Sequence, residues 1–210
     1  FDGVDDFVDV DFLAGVDEWD ELTVEILAKI TVMPDSIMDS LIGCAAWSTE
    51  GGFLIYMGTT EYVQFRLRND PLDTEARVNF EPIQLDEWRH YVGVFKRPSV
   101  RTYVNGEWTG NEGTWDYPVR TDGHIFLARW SSGYQECEIA VALVYSRALS
   151  EDETDAYNSH IVNATGLALF LDATFWNGTH YIDLSGNGNH GVPHGGVKRV
   201  EAERTVSYTH

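Results

Sequence analysis

Apolar and polar residues alternate along most of this chain. "DDFVDVDF" (5–12) changes character at nearly every step, and "LTVEILAKITV" (22–32) sends Leu22, Val24, Ile26 and Ala28 to one side. Period-two alternation is the mark of a strand with one buried face. "SLIGCAAW" (40–47) and "GFLIYMG" (52–58) are short apolar runs around Ser-Thr-Glu-Gly, which predicts a hairpin. Further strands are predicted at 61–69, 88–97, 100–108, 124–130, 137–147 and 166–175. Asn105-Gly106 supplies a two-residue turn whose positive φ values match strand twist. One segment breaks the pattern. In "ALSEDETDAYNSH" (148–160) Ser150 precedes Glu153 by three residues, a capping box that predicts a short helix over 151–159. The polar residues from Gly196 onward read as an edge strand or a tail. About ten or eleven short strands with frequent turn signals predict an all-β sandwich or barrel.

Composition sharpens this picture. No repeat or linker divides the 210 residues, so a single domain over 1–210 is expected. The 7 Trp, 10 Tyr and 10 Phe favour strands. Three lysines (Lys29, Lys96, Lys198) stand against 34 acidic residues, and the formal net charge is −20. Such a field repels nucleic acid and anionic membranes, and suits either a solvated acidic surface or cation binding. No apolar run approaches the ~20 residues of a membrane span. Cys44 and Cys137 lack metal-binding spacing and form either one disulfide or two buried thiols. Sequons at Asn163 and Asn177 point to glycosylation and an extracellular, cell-surface or virion-surface setting. The opening "FDGVDD" reads as a processed or excised start.

Four phrases in order carry a resemblance: "FDGVDDFVDV" (1–10), "LTVEILAKI" (22–30), "WRHYVGVFKRPSVRTYVNGEW" (88–108) and "IAVALVYSRALSEDE" (139–153). Together they resemble the LamG-like, concanavalin A-like lectin/glucanase superfamily over most of residues 1–155. The resemblance implies a jelly roll of two antiparallel sheets. Trp88 would plug the core between them. Arg147 would cap carbonyls at a strand end, and Leu149 would seal the helix against the sandwich.

The stretch "DLSGNGNHG" (183–191) belongs, in that family's pattern, before the Phe-Asp-Gly strand. Here it follows the helix, so the order looks rotated. Residues 166–210 are therefore expected to complete either their own sandwich or that of a neighbouring subunit by strand exchange. The same loop is a candidate calcium site. Asp183, Asn187 and Asn189 offer oxygens, with Asp2 and Asp5 at the other end of the chain. Family members often bind calcium, although Val141 stands where the family commonly has an acidic residue.

Catalytic patterns are missing. Glu18 and Asp20 are followed by Thr23 where the glucanases of this superfamily carry a third carboxylate, and Glu136 and Glu138 lead into Ile-Ala-Val. No nucleophile elbow, zinc helix or phosphate loop occurs. Sugar binding has better candidates: Trp108, Trp115 and Tyr117 in "WTGNEGTWDYP" (108–118), and Trp130 and Tyr134 beside Arg129 in "RWSSGYQE" (129–136). The sequence thus predicts a non-catalytic extracellular structural module, self-associating in a filament, cell-surface layer or virion. The alternative is a carbohydrate-binding adhesion domain.

Overall fold

The computed structural model describes residues 1–11, 18–34, 39–44, 52–57, 61–69, 72–120, 124–130, 133–154 and 165–199. Its strands are β1 (Phe7–Asp11), β2 (Glu18–Trp19), β3 (Glu21–Ile30), β4 (Asp39–Cys44), β5 (Gly52–Met57), β6 (Tyr62–Asn69) and β7 (Thr74–Pro82). There follow β8 (Trp88–Lys96), β9 (Ser99–Val104), β10 (Glu107–Thr114), β11 (Val119–Arg120), β12 (His124–Leu127), β13 (Arg129–Trp130) and β14 (Gly133–Tyr134). The last four are β15 (Cys137–Tyr145), β16 (Leu167–Trp176), β17 (Tyr181–Asp183) and β18 (Gly191–His194).

Fourteen strands form one antiparallel ladder, in the order β10-β9-β8-β3-β15-β16-β17-β18-β1-β12-β4-β5-β6-β7. The ladder doubles over on itself into two layers. One layer runs from β10 to β15 and the other from β1 to β7, with β16 to β18 carrying the ladder between them. The facing contacts show this directly. Gly93 of β8 lies so close under Phe65 of β6 that an added Cβ would sit 2.6 Å from the ring. Thr102 of β9 donates its hydroxyl to the Asn79 carbonyl of β7 at 2.8 Å.

Alternation chooses the filling. Leu22, Val24, Ile26, Ala28 and Ile30 of β3 meet Phe53, Ile55, Met57, Val63, Phe65 and Leu67 of β5 and β6 in one buried cluster. Burial of this kind stabilises by about 25 cal/mol per Å² of apolar surface. β7 is a strand the sequence reading missed, and it obeys the same rule. Ala76, Val78 and Phe80 point in, while Glu75 and Arg77 point out. Asn105 and Gly106 have φ values of 52° and 85°, the paired positive values of the expected tight turn between β9 and β10.

The outer face of the β3–β15 layer is covered by the chain after β15. Leu149 packs with Val141, Leu143, Tyr145 and Leu167. Arg147 donates to the Thr165 carbonyl at 2.6 Å and grips Glu153 through two bonds of 2.8 and 2.9 Å. Only half of the capping box forms: the Ser150 N–H and hydroxyl both donate to Glu153 Oε2, while the Glu153 and Thr154 N–H groups go to the Ser150 carbonyl, and residues 151–154 make a turn where a helix was expected. Residues 155–159 of the predicted helix lie outside the described residues.

Two expectations need correction. Trp88 does not plug the core; it is 40% exposed, with the Lys29 ammonium 5.6 Å from its ring. Its neighbours at the same strand position include the charged Lys29, which belongs to the outer face, so the ring follows it out. Cys44 and Cys137 are not bridged. Both are buried thiols inside the main cluster, packed as small hydrophobes.

The late segment pairs within its own chain. β16 lies against β15, and β18 lies against β1, with Phe7 opposite His194 and Val10 opposite Gly191. Residues 200–210 lie outside the described residues.

Candidate functional site

The outward face of β18-β1-β12 is the chemically distinctive surface. Alternation buries Val8 and Val10 of β1 and turns Phe7 and Asp9 outward. On β12 it buries Ile125 and Leu127 and presents His124 and Phe126. His194 stands beside Phe7 on β18. After β12 the chain makes a sharp turn at Ala128, whose φ of 60° is unusual for a residue with a Cβ. The turn is held by the Ala128 N–H on the Leu41 carbonyl and the Gln135 N–H on the Ala128 carbonyl. It folds the β13–β14 hairpin back across the sheet face.

That hairpin completes a ring cluster. The Arg129 guanidinium lies 4.3 Å from the Phe7 ring centre, 5.1 Å from Phe126 and 5.8 Å from Tyr134. Phe7 and Phe126 meet edge to face at 6.1 Å, and Phe7 stacks on His194 at 4.4 Å. His124 stacks on Phe126, and its Nδ1 lies 2.8 Å from Asp9 Oδ1. Phe7, Phe126, Arg129 and Tyr134 are half-buried, so ring faces and edges still meet solvent. Rings, a guanidinium and a carboxylate–imidazole pair on one flat face suit a ligand with both C–H faces and hydroxyls.

The same face continues across β5, β6 and β7 as a polar network. Tyr56 donates to Gln64, and Gln64 donates to Asn79, at 2.8 and 2.7 Å. Arg66 and Arg77 both pair with Glu75. Burial works to raise the Glu75 carboxyl, but the Arg77 and Arg66 guanidiniums overcome it and hold the group below its ordinary value.

The aromatic candidates named from sequence separate. Tyr134 belongs to the ring cluster. Trp130 is buried against Leu54 and Tyr56 and anchors the hairpin. Trp115 is 3% exposed inside the main core, with Tyr117 edge-on at 5.2 Å. Trp108 is 49% exposed on β10, an outer strand of the other layer, beneath Arg101. Trp115 and Trp130 are thus packing residues, because large rings next to a strand edge fill the nearest apolar gap. Phe7, Phe126, His124 and His194 escaped the sequence reading. The signal was present, since an aromatic at a polar-phase position of an alternating strand, as Phe7 is, has no core to enter.

The calcium candidates do not converge either. Asp183 Oδ1 accepts the N–H groups of Phe170 and Ser185, and Oδ2 accepts the Asn189 N–H and the Ser185 hydroxyl. The side-chain amides of Asn187 and Asn189 donate to the Ala168 carbonyl at 3.1 and 2.9 Å. Both Asp183 oxygens and the side-chain nitrogens of Asn187 and Asn189 are thus used in closing the loop. Asp2, Asp5 and Asp6 form a separate carboxylate group within 4.8 Å of one another. Asp6 there accepts the Asp2 and Gly196 N–H groups, which ties the first residues to the end of β18. Asn177 is exposed, with Oδ1 accepting from Thr179 and His180. Asn163 lies outside the described residues.

The suspect carboxylates are engaged elsewhere. Asp20 pairs with Arg97 at 3.1 Å, Glu138 pairs with Lys29, and Glu136 accepts the Thr31 hydroxyl. Among the described residues no helix is long and apolar enough to cross a membrane.

Two antiparallel layers around one apolar filling, joined through β16–β18, define the class of jelly-roll sandwiches. The chain belongs to the Concanavalin A-like lectin/glucanases superfamily, whose laminin-G-type sequence pattern matches residues 2–154. No curated protein sequence matches the chain. Solved structures share its fold at low identity. A Bacteroides ovatus protein provisionally described as carbohydrate-binding superposes with a TM-score of 0.69 at 17% identity over 96% of this chain. The chain spans 61% of that protein's length. A heptameric SAP-like pentraxin of Limulus polyphemus gives 0.53 at 13% identity, over 72% of this chain and 80% of that one. Domain 4 of AbnA, an extracellular arabinanase of Geobacillus stearothermophilus solved with arabinotriose, gives 0.52 at 15%, over 67% and 68%.

Proposed function

We propose that this chain is a non-catalytic glycan-binding module of an extracellular or surface protein, with the outward face of β18-β1-β12 as its sugar platform. The observation that carries the reading is the half-exposed cluster of Phe7, Phe126, Tyr134 and Arg129 beside the Asp9–His124 pair. Pyranose and furanose rings stack their C–H faces on such rings and share hydroxyl hydrogen bonds with planar charged groups. The fold neighbours described as carbohydrate-binding and solved with arabinotriose support a sugar over another polar ligand. A glycan array followed by calorimetry tests it. Phe7→Ala is expected to weaken binding at least about tenfold, the loss of one stacked ring. Trp108→Ala is expected to leave it unchanged. Absence of binding to any glycan, or an unaffected Phe7→Ala, overturns the reading.

One observation favours a second reading, a subunit of a surface assembly that self-associates through strand exchange. Residues 165–199 form one contiguous segment paired with β15 at one end and β1 at the other. Exchanged between copies, it would keep every one of those contacts.

A further inference from the structure

A cavity of about 460 Å³ lies where the two layers meet at the β16–β17 crossing. Val8 and Leu127 line it from one layer, Ile139 and Leu171 from the other, and Tyr181 closes one side. Its position follows from the strands. β15 slips its register against β3 between Ile139 and Val141, and β16 slips against β17 between Leu171 and Trp176. The two irregularities lie side by side, on strands paired with each other through Val141 and Asp172. The volume falls within the ~300–1,000 Å³ of small-molecule sites.

The mouth has an unusual charge. Lys198 and Arg199 line it, both exposed. Neither makes an ion pair among the described residues, whereas Lys29, Arg89, Lys96, Arg97, Arg101 and Arg147 all do. In a chain with 34 acidic residues, two adjacent cations at one opening without an ion pair among the described residues are a departure. Of the acids in the same lining, Glu138 pairs with Lys29, while Asp172 accepts from Thr174 and keeps its charge, so the opening carries two cations beside one uncompensated carboxylate. Burial pushes the Tyr181 hydroxyl above its ordinary value, and the nearby Arg199 guanidinium opposes that shift.

We infer that this cavity binds a single-chain carboxylate amphiphile, a medium-chain fatty acid, with its tail between the layers and its head on Lys198 and Arg199. The wall made by Val8, Leu127, Ile139, Val141 and Leu171 offers no partner to a sugar's hydroxyls, and the polar groups gather on the other side of the lining, at Asp172, Thr174, Lys198 and Arg199. A neutral hydrocarbon would leave the cations unused. An apolar tail with an anionic head answers both features. This site is separate from the aromatic face and stands whether or not that face binds glycans.

Isothermal titration of the full chain with decanoate, and with decan-1-ol as the uncharged comparator, tests the inference. Saturable one-to-one decanoate binding is expected. In Lys198→Ser/Arg199→Ser the decanoate affinity should fall about tenfold or more, with decan-1-ol binding unchanged. Ala173→Trp should abolish binding of both by filling the cavity, with near-ultraviolet circular dichroism confirming the fold. Ala140→Trp fills it from the other strand should the first variant unfold. If both unfold, the surface double variant alone decides. No saturable decanoate binding, equal decanoate affinity in the double variant, or full binding in a folded cavity-filled variant overturns it.

Discussion

Asp183 looked like a ligand and acts as a clasp. It is 5% exposed, and its two oxygens hold three backbone N–H groups and one hydroxyl. Asp183→Ala would leave those donors buried without acceptors, at a cost of about 3 kcal/mol or more. In urea unfolding the midpoint should fall sharply, while a chelator should leave the wild-type midpoint unchanged; a clear drop with chelator would mean an ion sits in the fold. The thiols give a second residue-scale outcome. Burial pushes the Cys137 thiol up to about 12, and Cys44 is fully buried. Without reductant, a thiol reagent at neutral pH should label neither in the native protein and both after unfolding. Failure to titrate two thiols in denaturant would reveal a bridge. The sequence left the roles of these residues open between a bridge and two thiols, and between an ion site and a turn cap. An Asp–Asn–Gly loop that binds an ion and one that binds its own backbone use the same letters, and only the direction of the donors separates them.

Strands were the legible unit, because alternation states which side chains go inward. β1, β3 and β8 lie within a residue or two of where alternation puts them, whereas the strand expected over 100–108 ends at Val104 and its last two residues open β10. β7 left no apolar run in the sequence, because "TEARVNFEP" sets charged residues in its outward phase between Ala76, Val78 and Phe80. β18 was hidden for another reason. Its inward positions are Gly191 and Pro193, the first with no side chain and the second a residue that strand patterns rarely contain. An added Cβ at Gly191 would lie 2.7 Å from Val8 and 3.1 Å from Leu171. Gly191→Ala should therefore push β18 off β1 and cost about 1–3 kcal/mol by overpacking. Hydrogen exchange would show it as faster exchange of the amides shared by β1 and β18, with β8 and β9 protected as before. Uniform acceleration across all strands would instead mean that the seam has no independent stability.

At the scale of the whole chain, the rotated order and the position of the ligand candidates have one origin. The segment after residue 165 runs beside β15, crosses the seam and ends beside β1, so the first and last described residues are neighbours, as the Asp6–Gly196 bond shows. The aromatic face therefore needs His194 from one end of the chain and Phe7 from the other. No local window of sequence contains both, which is why that face was invisible in the letters although each strand in it could be predicted. The same arrangement decides what truncation does. Ending the chain at residue 165 strips the apolar cover from β15 and leaves β1 with a bare edge, since Leu169 and Leu171 are core residues. An uncovered edge next to an exposed filling recruits other strands. The truncated chain should run as concentration-dependent oligomers in size-exclusion chromatography with light scattering, and the full chain as a monomer. Adding the 166–210 segment as a separate peptide should return the truncated chain to single-copy size. A truncated chain that stays monomeric and melts as the full chain does would mean that the last three strands lie on a sandwich already complete without them.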